Sequence, residues 1–180
     1  MGDRIVNGNY LTRGFLLTLI ASFTFLVVLL AFTANSAYQT ATMEEANQTL
    51  QQIQTERQTI TAEKIFLNNL LISLPLIIPA VGLVPFLMVW ANTGTVIGLL
   101  AKAIGITPTT YISNLIILAF PEILAYAILM AENIYLTLLV ITRTGAKARL
   151  TAQSWKTFIA YTALLLLGAV TEAIMITGGA

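Results

Sequence analysis

Ionisable side chains are rare in the long apolar stretches of this chain, and these few residues are the ones that could do chemistry. Within a bilayer an ionisable group costs at least about 2.5 kcal/mol, so each one needs a physical reason to be there. Glu122 follows Pro121, a residue that disturbs a helix, and no opposite charge lies nearby in the sequence. A carboxyl beside a broken helix is common at ion or substrate sites of transporters. The structural alternative is a Glu122 that is protonated or caps a helix.

Three further charged residues interrupt the apolar segments. We expect Glu132 to lie near a membrane face, where a carboxylate is less costly. Glu172 comes late in the last apolar segment and is expected to reach outward. Lys102 is expected to extend its ammonium group to the cytoplasmic surface. These positions favour structural rather than chemical roles.

Amides and small residues form a second group within the apolar segments. Amides in membrane spans hydrogen-bond across helices or cover backbone groups that are exposed at helix breaks. Gly94 and Gly98 are four residues apart, a spacing that permits close helix packing. The predicted intramembrane polar cluster, with either a structural or a transport role, consists of Asn68, Asn69, Asn92, Asn114 and Glu122.

Several kinds of chemistry are excluded by residue type. The chain has no Cys and no His, and its only Asp is Asp3. Disulfides, thiol chemistry, Cys/His metal sites, His-ligated haem and a His general base are therefore absent. We predict a protein that is not an enzyme and holds no metal or cofactor. The net charge of +1 provides no field that could hold nucleic acid.

The composition predicts that these side chains are carried by membrane-spanning helices. Hydrophobic residues make up 57% of the chain and charged residues only 9%, against about 25% charged in a typical soluble domain. A soluble domain of this length would leave large apolar patches exposed to water. We therefore predict an all-α integral membrane protein that forms a single membrane domain over residues 1–180.

The distribution of charge divides this domain into segments. The uncharged segment 14–34 is roughly 31 Å long as a helix, which is the thickness of a hydrocarbon core and longer than a signal-peptide core. The polar segment 35–64 has a helix-forming composition from Thr42 to Lys64, and this helix either packs on its own domain or binds an external partner. The predicted segments are a tail (1–13), a first span (14–34), a helical loop (35–64), a broken transmembrane region (65–142), a basic connector (143–156) and a last span (157–177).

The broken region is too long for one helix. Pro75, Pro79 and Pro85 interrupt its first half, Asn92–Gly94 is predicted to be a further break, and a new helix is expected to start after Pro108. The basic connector, which carries Arg143, Lys147, Arg149 and Lys156, is expected to be cytoplasmic.

The acidic loop is expected to be external, and Asn47 begins a glycosylation sequon there. Because the loop is expected outside and the connector inside, the chain must cross the membrane an odd number of times between them. The N-terminus is then inside and the C-terminus outside. We predict five spans in total. Three spans with re-entrant half-helices are the alternative.

The broken region also resembles a known family. The segments that carry the resemblance are Ile65–Leu70, Asn92–Gly98 and Pro121–Ala125, and it covers about residues 65–140. In order and rough spacing they are similar to the stage II sporulation protein M family, whose members have an Asn-Asn pair, an Asn-Gly…Gly turn and a Glu after a Pro-His-Gly-like turn. Here Thr93 interrupts the Asn-Gly pair, and neither His nor Gly precedes Glu122. The resemblance implies a multi-helix membrane protein that acts through partners, similar to a scaffold that recruits cell-wall-degrading proteins to a division septum.

These observations predict a function that depends on assembly. We expect a non-catalytic, multi-pass subunit or scaffold in the cell membrane that binds other membrane proteins, as a hetero-complex or a homo-oligomer. The alternative is a small transporter or channel component in which Glu122 and the broken helices line a pathway.

Overall fold

The computed structural model of the chain describes residues 12–178, with side chains described as far as 175. Most of the predicted cytoplasmic tail therefore lies outside the described residues. Residues 12–178 contain α-helices, one four-residue 3-10 turn and no β-strand. The helices are α1 (Arg13–Thr40), α2 (Met43–Arg57), α3 (Ala62–Ser73), α4 (Leu83–Ala103), α5 (Pro108–Ile141), α6 (Ala146–Ala152) and α7 (Ser154–Gly178), and the 3-10 turn is Leu74–Ile77.

Four of these helices are long and apolar enough to cross a membrane, which confirms the predicted all-α, multi-pass class. They are α1, α4, α5 and α7, the last as far as Met175. Their outward faces carry large apolar side chains, and Ile20, Phe32 and Ile117 are 63%, 70% and 76% exposed. The predicted count of five spans is not confirmed, because α3 has only 12 residues and is about 18 Å long against a core of about 30 Å.

Threonine side chains mark where several helices begin. The Thr42 hydroxyl accepts a hydrogen bond from the Glu45 backbone N–H at 3.2 Å, and the Glu45 carboxylate accepts one from the Thr42 N–H at 2.7 Å. This reciprocal capping box satisfies two backbone donors that a helix start leaves unpaired. Thr12, Thr61 and Thr107 cap α1, α3 and α5 in the simpler one-bond manner.

Helices α1 and α4 lie side by side and run in the same direction. The contacts between them keep a constant offset of 64 residues: the Trp90 indole N–H donates to the Leu26 carbonyl at 2.8 Å, and the Lys102 ammonium donates to the Tyr38 carbonyl at 3.0 Å. The helices thus pack through ridges of residues spaced four apart. We call the end of the bundle where α1 stops and α2 packs the α2 end, and the opposite end, where α6 lies, the α6 end.

The other long helices, α5 and α7, run in opposite directions and complete the bundle. α5 starts after α4 at the α2 end and returns to the α6 end, where the Thr12 hydroxyl donates to the Tyr135 hydroxyl at 3.3 Å. α7 then runs from the α6 end towards the α2 end and packs on both α5 and α3. The loop helix α2 packs against α4, as expected for a helix that packs on its own domain.

Two predicted helix breaks are wrong, and both lie inside continuous helices. Asn92–Gly94 lies near the middle of α4, where the missing side chain of Gly94 makes room for α1. Pro121 lies inside α5, which continues through it for 34 residues. By contrast, Pro75 follows the end of α3 and is the second residue of the 3-10 turn, and Pro108 is the first residue of α5, as predicted.

Candidate functional site

The innermost polar site joins α5 to the connector through Glu132 and Arg149. The Arg149 Nε donates to Glu132 Oε1 at 3.0 Å and its Nη2 to Oε2 at 2.5 Å, and the two side chains are only 1% and 6% exposed. Hydroxyls from α7 complete the carboxylate's environment: the Ser154 Oγ donates to Oε1 at 2.6 Å and the Thr157 Oγ1 to Oε2 at 3.0 Å. Such a bidentate, fully hydrogen-bonded pair is the arrangement that makes a buried charge tolerable.

Aromatic rings enclose the guanidinium group of this pair. The Arg149 Cζ lies 4.7 Å from the centre of the Phe15 ring and 5.1 Å from that of Tyr135. The two rings meet edge to face, with their centres 6.1 Å apart. Cation–π contacts of this kind partly replace the lost hydration of the cation. As a result, α1, α5, the connector and α7 meet at one charged centre.

Asn133, the next residue of α5, holds the turn that precedes α4. Its amide nitrogen donates to the Leu76 carbonyl at 2.7 Å and the Ile78 carbonyl at 2.8 Å, while its oxygen accepts from the Ala80 N–H at 3.2 Å. The amide thereby satisfies three backbone groups that the irregular backbone leaves unpaired. Asn133 was not among the predicted site residues, although an amide within a span is itself the signal for such a role.

These contacts add to what was expected of two charged residues. Glu132 was expected near a membrane face, and it is buried and ion-paired within the bundle. Arg149, which belongs to the connector that was expected to be cytoplasmic, is buried as well. The charge pairing was missed because the partners are 17 residues apart and lie on opposite sides of a chain reversal.

Lys102 lies at a different end of the bundle from the one predicted. Its ammonium group donates to the last carbonyls of α1, those of Tyr38 and Ala41, and lies over the Tyr38 ring. It is therefore at the α2 end, opposite the basic connector, instead of on the connector's side. A lysine at this place offsets the partial negative charge of the α1 C-terminus.

Glu122 lies closer to the middle of α5, where this helix crosses α7. The crossing is close, since a Cβ atom added at Gly168 would lie 3.2 Å from the Glu122 Cβ. The Glu122 side chain is half-buried and lies near the hydroxyl of Tyr126, one turn along α5. The Tyr126 ring in turn packs edge to face on Phe86 and Trp90 of α4, with ring centres 5.5 and 5.4 Å away.

A cavity of about 370 Å³ lies towards the α2 end between α3 and α7. Its lining includes Asn68, Asn69 and Glu172, together with Glu56 and Lys64. Glu172, which was expected to reach outward, has an exposed side chain there. One turn after Asn69, the Ser73 and Tyr161 hydroxyls hydrogen-bond to each other and tie α3 to α7.

The predicted polar cluster is only partly brought together. Asn68 and Asn69 share the wall of the cavity, and Glu122 lies nearby through its electrostatic contact with Glu172. Asn92 on α4 and Asn114 on α5 are exposed instead. Among the described residues, no hydrogen bond links either of these two amides to the rest of the group. The predicted glycosylation residue Asn47 is exposed on α2.

Gly94 and Gly98 lie in the contact between α1 and α4. A Cβ atom at Gly98 would come within 2.2 Å of the Ala34 carbonyl oxygen, and one at Gly94 within 1.9 Å of the Thr33 Oγ1 and 2.8 Å of the Leu30 oxygen. Both glycines therefore allow the two backbones to approach more closely than any side chain would permit.

Among the described residues, no group of three or more acidic side chains could hold a metal ion. Comparison of the chain with family models, with curated proteins and with solved structures gives no match. The function must therefore be inferred from the geometry of these sites.

Proposed function

We propose that this chain is a non-catalytic, multi-pass subunit or scaffold that assembles with other proteins in the cell membrane. The observation that carries the proposal is the exposed amide of Asn92. It lies near the middle of α4, a candidate span, and makes no side-chain hydrogen bond among the described residues. An unpaired amide facing hydrocarbon is costly, and a hydrogen bond to a neighbouring transmembrane helix removes this cost.

The strongest polar site of the bundle supports a structural role. Among the described residues, Arg149, Ser154 and Thr157 donate four hydrogen bonds to the Glu132 carboxylate, so its lone pairs are used in holding helices together. Asn133 is likewise fully used in holding the turn before α4. Neither side chain is available as an acid, a base or a nucleophile.

The family resemblance points to the same class of function. The sporulation family includes a scaffold that recruits other proteins, and the matching segments of this chain contain Asn92 itself. We propose on this basis that the chain acts as a membrane platform for partner proteins. The partners are lipid-embedded proteins or further copies of this chain.

The helix directions support a specific topology, which is part of the proposal. The α6 end, with Arg143, Lys147 and Lys156, is cytoplasmic, and the α2 end is external. α1 is about 42 Å long, or about 12 Å more than the hydrocarbon core, and by the 64-residue offset α4 starts opposite residue 19 of α1. The turn before α4 therefore lies about 9 Å from the start of α1, close to the cytoplasmic boundary. We propose that α3 and the 3-10 turn together form the fifth crossing.

Co-purification tests the proposed assembly. We expect native mass measurement after gentle detergent extraction to find the chain in a complex, and Asn92→Leu to release the partner. Folding stability of the variant should stay within about 0.5 kcal/mol of the parent, because no internal contact is lost. The matched control is Thr93→Val, at a neighbouring exposed site whose hydroxyl already bonds to the Val89 carbonyl. A clean monomer of the parent protein would overturn the proposal.

A further inference from the structure

Glu122 and Glu132 are two carboxyls on one helix with opposite surroundings. Glu132 is neutralised by Arg149 and bonded by two hydroxyls. Glu122 has no ion-pair partner among the described residues, and the nearest charged group acting on it is another carboxyl, that of Glu172. A carboxylate next to a like charge in a low-dielectric site is strongly disfavoured, whereas a neutral acid is not.

The groups that face Glu122 come from three helices. On its own helix α5 the neighbour is the Tyr126 hydroxyl, and on α7 the neighbours are Glu172 and the Tyr161 hydroxyl. On α4, the nearby groups are the rings of Phe86 and Trp90, which pack on the Tyr126 ring. The cations in this region lie beyond Glu172 at the α2 end: Arg57 acts on Glu172, and Lys64 lines the same cavity.

The cavity at the α2 end leads to this pair of carboxyls. Glu172 forms part of the cavity lining, and Glu122 is about one turn deeper, because it packs on Gly168 of the same helix α7. The cavity thus opens onto Glu172, whose carboxyl acts electrostatically on that of Glu122.

No corresponding route leads from Glu122 towards the α6 end through the part of the chain that the structure describes. The Ser73–Tyr161 hydrogen bond joins α3 to α7, and the buried apolar side chains of Leu129, Met130 and Leu165 belong to the core of the bundle. We propose that Glu122 is a proton-binding site whose proton exchanges with the α2 side of the membrane alone, through Glu172 and the cavity. This inference goes beyond the proposed subunit function and does not depend on a partner.

A hydrophobic carbodiimide reports on the site, because it reacts with protonated carboxyls within membranes and its product can be located by mass spectrometry. We expect the parent protein in sealed vesicles to be labelled at Glu122 at least about tenfold faster than at Glu132, because labelling of Glu132 requires its buried ion pair with Arg149 to break. Labelling should fall when the pH on the α2 side is raised, and should not respond to the pH on the α6 side.

The Glu172 variant separates this proposal from a purely structural role of Glu122. Glu172→Gln removes the like charge, so Glu122 labelling should decline at a lower pH than in the parent protein. The matched control is Glu56→Gln, since Glu56 lines the same cavity but is not among the groups that act on Glu122.

Equal labelling of Glu122 and Glu132, a response to the α6-side pH, or identical pH profiles for parent and Glu172→Gln would each overturn the proposal. The first two measurements use the parent protein and hold even if the variant fails to fold. The labelling measurements do not depend on the co-purification experiment, so a failure to find a partner there would leave this proposal unaffected.

Discussion

Arg149 and Glu132 form a buried, two-pronged ion pair that fixes the connector between α5 and α7 to the bundle. Breaking such a pair by removing one partner typically costs about 3–5 kcal/mol, because the other charge is left buried and uncompensated. The pair therefore determines where α7 starts relative to α5.

We expect Arg149→Met to lower the free energy of unfolding by about 3–5 kcal/mol. The double variant Glu132→Gln/Arg149→Met should recover much of this loss, because no unpaired charge remains. Unfolding in detergent micelles, followed by circular dichroism, measures both effects. Lys147→Met is the control on the same connector, where the side chain is exposed and forms no ion pair among the described residues. An Arg149 variant as stable as this control would contradict the prediction.

Asn133→Leu should destabilise the turn before α4. Leucine has the same branching and number of side-chain heavy atoms but leaves three backbone groups of that turn without partners, and each such buried group costs about 1–3 kcal/mol. The matched control is Asn114→Leu, an exposed amide on the same helix, for which we expect a change within about 0.5 kcal/mol in the purified chain. Equal effects of the two variants on unfolding would count against the role of Asn133.

Gly98→Ala should separate α1 from α4. The added methyl group meets a backbone carbonyl, which cannot turn away, so we expect a loss of about 1–3 kcal/mol from overpacking. Gly94→Ala should cost less, since its nearest contact is the Thr33 side chain. Thr93→Ala, on the exposed face of α4, serves as the control for helix propensity in the same unfolding measurement.

The proposed fifth crossing predicts which side of the membrane the turn before α4 faces. Because the chain contains no Cys, single cysteines can be introduced without background. We expect Val81→Cys, at a 70% exposed position, to react with an impermeant maleimide only after the cytoplasmic side is opened, as Thr144→Cys should. Asn47→Cys on α2 should react from outside. A Val81→Cys that reacts from neither side would indicate a re-entrant segment.

The capping box of α2 predicts a pH dependence outside the membrane. Hydrogen bonds from the Thr42 N–H and then from its hydroxyl hold the pKa of Glu45 below its ordinary value of 4.5. Because the pKa of Glu45 is lower in the folded state, its stabilising effect is present at pH values above the ordinary pKa. This effect is lost as the pH falls through the pKa of the folded state. We expect amide hydrogen exchange in the first turn of α2 to accelerate below about pH 4.5.

Glu45→Gln is the matched variant for this effect. Glutamine can still accept the capping hydrogen bond but does not titrate, so the acceleration should disappear. Exchange that speeds up equally in the parent protein and the variant would show that another group is responsible.

Composition and charge distribution were enough to predict the membrane class, the first span and the last one. A local signal also placed the start of α5 at Pro108, because this feature depends on neighbours within a few residues. The helical nature of the segment after Thr42 followed from the same kind of signal.

The remaining features depend on contacts between distant residues. Pro121 does not end α5, since tertiary packing outweighs a local helix breaker, and the Asn92–Gly94 motif serves packing instead of a turn. The Arg149–Glu132 pair and the position of Lys102 could not be predicted, because they require knowing which helix ends meet. The directions of the helices determine which helix ends lie together, and no local sequence pattern encodes those directions.

The constant 64-residue offset between α1 and α4 has a consequence for biosynthesis. At about 5–20 residues per second, the ribosome needs roughly 3–13 s after making a given turn of α1 to produce the turn of α4 that covers it. During that interval the groove of α1 that receives Gly94 and Gly98 faces lipid or the insertion machinery. Bundle closure is therefore a late event, and variants that slow it should be cleared by membrane proteases before the chain matures.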